Sequence, residues 1–158
     1  MIRPTTPADT AALVALADAT GVFKPLEIQA LREVLDDYFA ANQAAGHRCV
    51  TCEEGGAAVG FAYYAPAAMT DRTWYLYWIA VRKQLQARGL GAALLRHAEE
   101  DVRAAAGRLL LIETSSLPHY EPTRQFYVKH GYETAAVLRD YYADGDDMVV
   151  FRKRFATA

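Results

Sequence analysis

The stretch Val81-Arg82-Lys83-Gln84-Leu85-Gln86-Ala87-Arg88-Gly89-Leu90-Gly91-Ala92-Ala93-Leu94-Leu95 joins an apolar run to a segment with helical periodicity. The run at 74–81 predicts a buried strand, and the segment after Gly89 predicts an amphipathic helix. Between them, Gln86-x-x-Gly89-x-Gly91 is a glycine-bearing turn at the predicted helix N-terminus. Such a turn can direct backbone N–H groups at one point, where the helix dipole adds positive charge. The stretch therefore predicts a phosphate or pyrophosphate site, because glycine permits positive φ and close approach of a ligand.

The composition of the 158-residue chain is that of a soluble globular protein. It is 53% hydrophobic and 23% charged, and its length suits one domain, residues 1–158. The net charge of −2 gives no basic footprint for nucleic acid. No apolar run reaches transmembrane length, and no signal-peptide pattern opens the chain. We therefore expect a cytoplasmic protein with no nucleic-acid or membrane partner.

Cys49 and Cys52 form a C-x-x-C pair, which could indicate a redox or zinc site. The surrounding residues 47–53 predict a strand, on which positions i and i+3 point to opposite faces. The sequence has no second C-x-x-C and no paired histidines to complete a zinc site. We therefore predict two unpaired cysteines and no metal.

Hydrophobic periodicity and turn residues predict the order β-α-α-β-β-β-α-β-α-β-β, an α/β domain around a mixed sheet. In the helix predicted at residues 89–105, Leu94 and Val102 should be buried, whereas Glu99 and Arg103 should face water. The predicted helices cover residues 6–20, 25–46, 89–105 and 121–130, and the predicted strands cover residues 47–53, 57–64, 73–81, 109–112, 132–139 and 148–155.

Two motifs in this order resemble those of the GNAT superfamily of acyl-CoA-dependent N-acyltransferases. The family's central motif, Gln/Arg-x-x-Gly-x-Gly/Ala between its fourth strand and third helix, is matched by Gln86, Gly89 and Gly91. A later helix of the family often carries a tyrosine followed by Gly-Phe/Tyr, which Phe126-Tyr127-Val128-Lys129-His130-Gly131-Tyr132 matches. The resemblance covers nearly the whole chain. It implies a GNAT-like domain with a mixed, mostly antiparallel sheet of about seven strands and four helices.

The resemblance implies acetyl-CoA or another acyl-CoA as the donor substrate. In the family the fourth strand bulges and splays from the fifth, so backbone groups of Ile79, Ala80 and Val81 would pair with the pantetheine arm. Arg88 could bind a CoA phosphate or lie solvated. The pyrophosphate would be held by backbone N–H groups of Gln86, Ala87, Arg88, Gly89, Leu90, Gly91 and Ala92.

The chain departs from the family pattern at two positions. Tyr120 stands where members often have an asparagine, seven positions before the tyrosine of the helix. Trp78 stands where many members carry a glutamate that acts as general base. The resemblance therefore names a donor but no base.

Acyl transfer to an amine needs a base and an acid. An alkylammonium has a pKa of about 10.4 and must lose a proton before its nitrogen attacks the thioester. A strand N–H near Ile79 or Ala80 would stabilise the oxyanion. Tyr127 is the candidate acid for the departing thiolate, with an aromatic core residue as the alternative. Glu113, at the end of an apolar strand where burial would raise its pKa, is the candidate base; the alternative is a surface or ion-paired glutamate.

Several other residues could border an acceptor site. His119 and Tyr120 lie in the loop before the last helix, and the acidic hairpin could attract a cationic amine or be a polar turn. Some of the aromatic residues could wall an acceptor pocket, although most should be core. The acidic residues are Asp140, Asp144, Asp146 and Asp147, and the aromatic residues are Tyr63, Tyr64, Trp74, Tyr75, Tyr77, Trp78, Tyr141 and Tyr142.

We predict an N-acetyltransferase that moves an acetyl group from acetyl-CoA to a primary amine of a small molecule by direct attack. The missing fourth-strand base leaves a non-catalytic acyl-CoA-binding sensor as one alternative. An acetyltransferase acting on a protein N-terminus or lysine is another. The family often forms dimers, so a homodimer is included among the expected partners.

Overall fold

Apolar strands and amphipathic helices assemble into one seven-stranded sheet in the computed structural model, which describes residues 1–156. The sheet order is β1-β2-β3-β4-β5-β7-β6; β4 and β5 are parallel, and every other neighbouring pair is antiparallel. The predicted element order and the mixed, mostly antiparallel sheet are confirmed. The strands are β1 (Ile2–Pro4), β2 (Arg48–Glu54), β3 (Ala57–Pro66), β4 (Thr73–Val81), β5 (Leu109–Ser115), β6 (Glu133–Ala143) and β7 (Asp146–Arg154), and the helices are α1 (Thr10–Ala19), α2 (Pro25–Asp37), α3 (Leu90–Ala104) and α4 (Glu121–Lys129).

The sheet separates two hydrophobic cores, one on each face. Leu13 of α1 and Leu31 of α2 are fully buried in one core, together with Phe61 of β3. Leu94 of α3 and Tyr127 of α4 belong to the other core. Each helix therefore buries one apolar stripe against the sheet, which is the main source of its stability.

The two cysteines lie on opposite faces of β2, as the strand periodicity predicts. Cys49 belongs to the core under α1 and α2, whereas Cys52 belongs to the core under α3. Both are unpaired and buried. Burial raises the pKa of the Cys49 thiol to about 12, so this thiol is protonated and unreactive at neutral pH.

Several predicted boundaries differ from the structure, and two of them are large or bear on the site. The second helix ends at Asp37 and continues as a π-helical turn, Tyr38–Asn42, rather than reaching residue 46. β5 continues to Ser115 because β7 pairs with its whole length. Glu113 therefore lies inside the strand and not at its end.

The prediction that Glu99 faces water is wrong. Glu99 is only 7% exposed, and its Oε2 accepts hydrogen bonds from the Tyr132 hydroxyl at 2.6 Å and from Lys153 Nζ at 3.0 Å. Lys153 also donates to the carbonyl of His130 at 3.0 Å. Helical periodicity placed Glu99 on the polar face, but partners from β7 and from the segment after α4 bury it. This cluster fixes the C-terminal end of α4 to α3 and β7.

A Lys153→Met substitution should lower the free energy of unfolding by about 2–3 kcal/mol, because it leaves the Glu99 carboxylate buried without its cation. The measurement is urea unfolding. The double variant Lys153→Met, Glu99→Gln should recover most of the loss, since the amide oxygen still accepts from Tyr132. Arg96→Met, on the exposed face of α3, is the control. Equal midpoints for Lys153→Met and Arg96→Met would contradict the assigned role of Lys153.

Candidate active site

A bulge and a parting of two strands open a cleft in the sheet. The register between β3 and β4 shifts at Tyr63 and Tyr64, which makes Tyr77 an extra residue in β4. β4 pairs with β5 only from Thr73 to Leu76. Within the described part of the chain, residues 77–81 have no strand partner on the β5 side. A cleft of about 1110 Å³ lies there, between β4, β5, α4 and the segment before α2.

The turn between β4 and α3 borders this cleft and contains two left-handed residues. Gly89 is the N-cap of α3 with φ +83°, and nothing lies within 4 Å of where its Cβ would be. There is room for a side chain at this position, so glycine is favoured by the left-handed backbone conformation alone. Ala87 has φ +67°, an unfavourable angle for alanine. Gly91 differs, since its added Cβ would lie 3.6 Å from Cζ of Phe126, so α4 packs closely at this position.

The turn presents a group of unpaired backbone donors. The N–H groups of residues 87–92 make no hydrogen bond with residues 1–156, and the first bonded N–H is that of Ala93, at 3.0 Å from the Gly89 carbonyl. The Gln86 side chain holds the turn by donating from Nε2 to the Val81 carbonyl at 3.1 Å. Free N–H groups at the positive end of a 15-residue helix form a cradle for an anion.

Most of the predicted cofactor residues line the cleft, but two do not. The lining includes Ile79, Ala80, Val81, Gln86, Ala87, Gly89, Gly91 and Ala92. The Leu90 side chain packs against the core instead. The Arg88 side chain is 58% exposed and lies 3.8 Å from a carboxylate oxygen of Glu54, outside the cleft lining.

Tyr127 combines a core ring with a hydroxyl in the cleft region. The ring packs on Tyr132 and Phe151, with centroid distances of 5.9 and 5.7 Å. The residue lines the cleft although it is only 3% exposed. Burial raises the pKa of the hydroxyl, which has no hydrogen-bond partner among the described residues. The side chain is therefore protonated at neutral pH and free to donate to a ligand.

Glu113 lies on the opposite wall, in the middle of β5. It lines the cleft, and no ion pair or hydrogen bond to its side chain occurs within residues 1–156. The residue is exposed at the cleft surface, and partial desolvation raises its pKa. Tyr75, Tyr77 and Tyr142 surround it: their pKa values are raised first by burial and also by the negative charge of Glu113.

The structure adds three acceptor-side residues that sequence patterns did not indicate, and it places one residue of the acidic hairpin beside them. Phe23, Lys24 and Glu27 reach the cleft from the segment before α2 and from its first turn. Asp146 is 4% exposed, accepts a hydrogen bond from the Ser115 hydroxyl and lies 3.7 Å from Lys24 Nζ. Local periodicity contains no signal for these contacts, because they join segments far apart in the chain.

The aromatic residues divide between core and cleft. Tyr63, Tyr64 and Trp74 are buried. Tyr141 is 55% exposed and lies outside the cleft lining. The cleft is lined by Tyr75, Tyr77, Trp78, Tyr120 and Tyr142, and His119 borders it beside Tyr120.

The acidic hairpin also divides. Asp140 and Asp147 brace the turn, where Asp147 accepts from the Asp140 N–H at 2.9 Å and Asp140 accepts from the Gly145 N–H at 2.8 Å. Asp146 alone among the four lines the cleft. Most of the hairpin is thus the polar turn that its residues favour, while one carboxylate joins the site.

Neither a membrane-spanning helix nor a metal-binding cluster occurs among residues 1–156. No helix within residues 1–156 has both the length and the apolar content to cross a membrane. No group of three or more His, Cys, Asp or Glu side chains among these residues is arranged to hold a metal ion.

Residues 45–134 match the family model of the acetyltransferase (GNAT) domain. This match runs from the segment before β2 to the start of β6, and it includes the turn before α3 and Tyr127. Among curated proteins, none matches the chain.

Solved structures resemble the chain over its full length. A protein from Desulfovibrio desulfuricans assigned to the GNAT family of acetyltransferases has 38% identity and a TM-score of 0.94, with 99% of each chain covered. A ribosomal-protein-alanine N-acetyltransferase from Brucella melitensis has 21% identity and a TM-score of 0.81, over 98% of this chain and 99% of that one. An aminoglycoside 6'-N-acetyltransferase in complex with coenzyme A has 17% identity and a TM-score of 0.78, over 100% and 98%.

The two left-handed residues of the turn should respond oppositely to substitution. Gly89→Ala should lower the free energy of unfolding by about 1–2 kcal/mol, since it puts a Cβ on a left-handed residue. Ala87→Gly, the matched change in the same turn, relieves that strain and should leave stability unchanged or raise it by up to about 1 kcal/mol. Urea unfolding of both variants measures this. An Ala87→Gly variant as unstable as Gly89→Ala would show that the turn is held differently.

Proposed function

The chain belongs to the GNAT family and is an acyl-CoA-dependent acetyltransferase, and we propose that it acetylates the primary amine of a small molecule with acetyl-CoA by direct attack. One observation carries this proposal: a single cleft joins the free N–H groups of the turn, the unpaired edge of β4, Tyr127 and Glu113. Donor and acceptor can therefore meet in one cavity without a covalent enzyme intermediate.

The donor would enter along the unpaired edge of β4. Backbone groups of Ile79, Ala80 and Val81 would pair with the pantetheine arm as an added strand would. The pyrophosphate would then reach the N–H groups of residues 87–92. The coenzyme A complex of the structurally similar aminoglycoside 6'-N-acetyltransferase supports this choice of donor. Arg88 would have to leave Glu54 to bind a phosphate of the nucleotide.

The acceptor would enter from the Glu113 side. An alkylammonium has a pKa of about 10.4, so the carboxylate must take a proton before the nitrogen can attack. The new C–N bond forms at the thioester carbon, and a backbone N–H near Ile79 or Ala80 stabilises the oxyanion. The C–S bond then breaks, the nitrogen loses its second proton to solvent, and the CoA thiolate receives the proton of Tyr127. Glu113 then releases its proton to solvent and Tyr127 regains one from solvent, which restores the enzyme. The net products are an amide, free CoA thiol and one proton.

A non-catalytic acyl-CoA sensor is the alternative that the missing fourth-strand glutamate raises. Glu113 weighs against it, because this carboxylate lies in the same cleft and has no partner to neutralise it within residues 1–156. A protein N-terminus or lysine also offers a primary amine as the nucleophile, but on a much larger body. A peptide arm in the turnover assay separates the two.

We further propose three general properties of the protein. These are one domain over residues 1–158, a location in the cytoplasm and a homodimer.

The test of the proposed function measures free thiol released from acetyl-CoA, acetylated amine by mass spectrometry and acetyl-CoA affinity by calorimetry. The wild type should bind acetyl-CoA and release thiol only with an amine. Tyr127→Phe should lower kcat by about 10²-fold. It should leave the affinity and stability unchanged, because the hydroxyl has no protein partner among the described residues.

Tyr141→Phe, on the exposed hairpin outside the cleft, should behave as the wild type. Binding of acetyl-CoA without thiol release from any amine or peptide would favour the sensor. Absence of binding would refute the donor, and full turnover by Tyr127→Phe would remove Tyr127 from the mechanism.

The pH dependence should identify the base. A base must be deprotonated, so kcat/KM rises as pH increases through the pKa of Glu113, which burial raises above its ordinary 4.5. Glu113→Gln should abolish this rise of kcat/KM with pH and lower kcat/KM by about 10²–10⁴-fold. Glu100→Gln, on the exposed face of α3, is the control. A Glu113→Gln variant with the wild-type profile would exclude Glu113 as the base.

A further inference from the structure

We propose that the acceptor is a primary monoamine with a flat aromatic or apolar body and no anionic group. This inference rests on the proposed function and concerns the part of the cleft that lies between β4, β5, the segment before α2 and the β6–β7 hairpin. Charge pairing, exposed aromatic surface and the balance of charges each restrict the acceptor.

Only one carboxylate in this part of the cleft lacks a partner within residues 1–156. Asp146 is bound by the Ser115 hydroxyl and lies 3.7 Å from Lys24 Nζ. Glu27 accepts from the Lys24 N–H at 3.0 Å, at the N-terminus of α2, where the helix dipole compensates its charge. Glu113 has neither an ion pair nor a hydrogen bond. The site can therefore neutralise one ammonium group.

Aromatic rings form the walls beside that carboxylate. Tyr75 and Tyr77 stack at a centroid distance of 5.4 Å with 24° between their planes. Phe23 and Trp78 form a second pair at 5.3 Å. Tyr142 lines the cleft from the hairpin, and burial, followed by the charge of Glu113, raises the pKa of its hydroxyl. Such surfaces bind planar apolar groups by stacking.

Apolar side chains at this end of the cleft are exposed to an unusual extent. Tyr77 is 53% exposed, Tyr142 43% and Leu26 76%, and all three line the cleft. Exposed apolar surface that is grouped around a cavity is typical of a ligand site. An apolar acceptor body would cover these side chains, whereas a small polar amine would leave them in water.

The charges also disfavour other amines. An acceptor carboxylate would face Glu27, Glu113 and Asp146, and the ammonium group of Lys24 is already paired with Asp146. A second ammonium group would lie on aromatic walls without a free carboxylate, at the cost of its desolvation. Amino acids, polyamines and aminoglycosides should therefore be poor acceptors.

The test compares matched amines at saturating acetyl-CoA, with released thiol as the readout. The reference is 2-phenylethylamine. Phenylalanine adds a carboxylate, ethylamine removes the ring, and putrescine replaces the ring with a second amine. Each should show kcat/KM at least about tenfold lower than the reference, which is the discrimination expected for one lost or repulsive contact. Kanamycin is included as a polycation.

Two variants locate the effect. Tyr142→Ala should raise KM for 2-phenylethylamine about five- to tenfold, as expected for one lost aromatic contact, and should leave KM for acetyl-CoA unchanged. Tyr141→Ala removes the neighbouring ring, which lies outside the cleft lining, and should change neither constant.

Each outcome of this test decides one of the two proposals. If phenylalanine, putrescine, ethylamine or kanamycin equals or exceeds 2-phenylethylamine, the acceptor class is wrong and the proposed function stands. If Tyr142→Ala and Tyr141→Ala have equal effects, the acceptor does not lie on this wall. If acetyl-CoA binds and no amine releases thiol, the proposed function itself fails.

Discussion

The parting of β4 from β5 after Leu76 and Ile112 is the constraint on which the site depends. A parallel pair would normally continue and leave no room between its strands. Here the extra residue Tyr77 shifts β4, so its backbone groups lose their partners on one side. The cleft, the open strand edge and the access of α4 to the middle of the sheet all follow from this.

Separate interactions hold the two walls of the cleft apart. On the β4 side, Gln86 ties the turn to the Val81 carbonyl, and Phe126 packs at Gly91. On the β5 side, Arg124 donates to the carbonyls of Ser115 at 2.7 Å and Leu117 at 3.0 Å, which joins α4 to the end of β5. Because these contacts fix both walls, the N–H groups of the turn are held in position without a ligand.

The element order could be predicted from the sequence because periodicity and turn residues are local signals. The faces of Cys49 and Cys52 were predicted for the same reason. Glu99 was misplaced because its partners lie 33 and 54 residues away. On the acceptor side, Glu113, Asp146 and several aromatic residues could be named from the sequence, but Phe23 could not, because it reaches the cleft only in the folded chain. Most of the proposed acyl-CoA site could be predicted because it lies in one short turn of the sequence.

Backbone hydrogen exchange, measured with and without saturating acetyl-CoA, tests most directly whether the parted strands form the donor site. The N–H groups of residues 87–92 make no hydrogen bond with residues 1–156 in the free protein and should exchange rapidly. Acetyl-CoA should slow exchange there and along residues 79–81. Binding of acetyl-CoA that protects neither segment would contradict this placement of the donor.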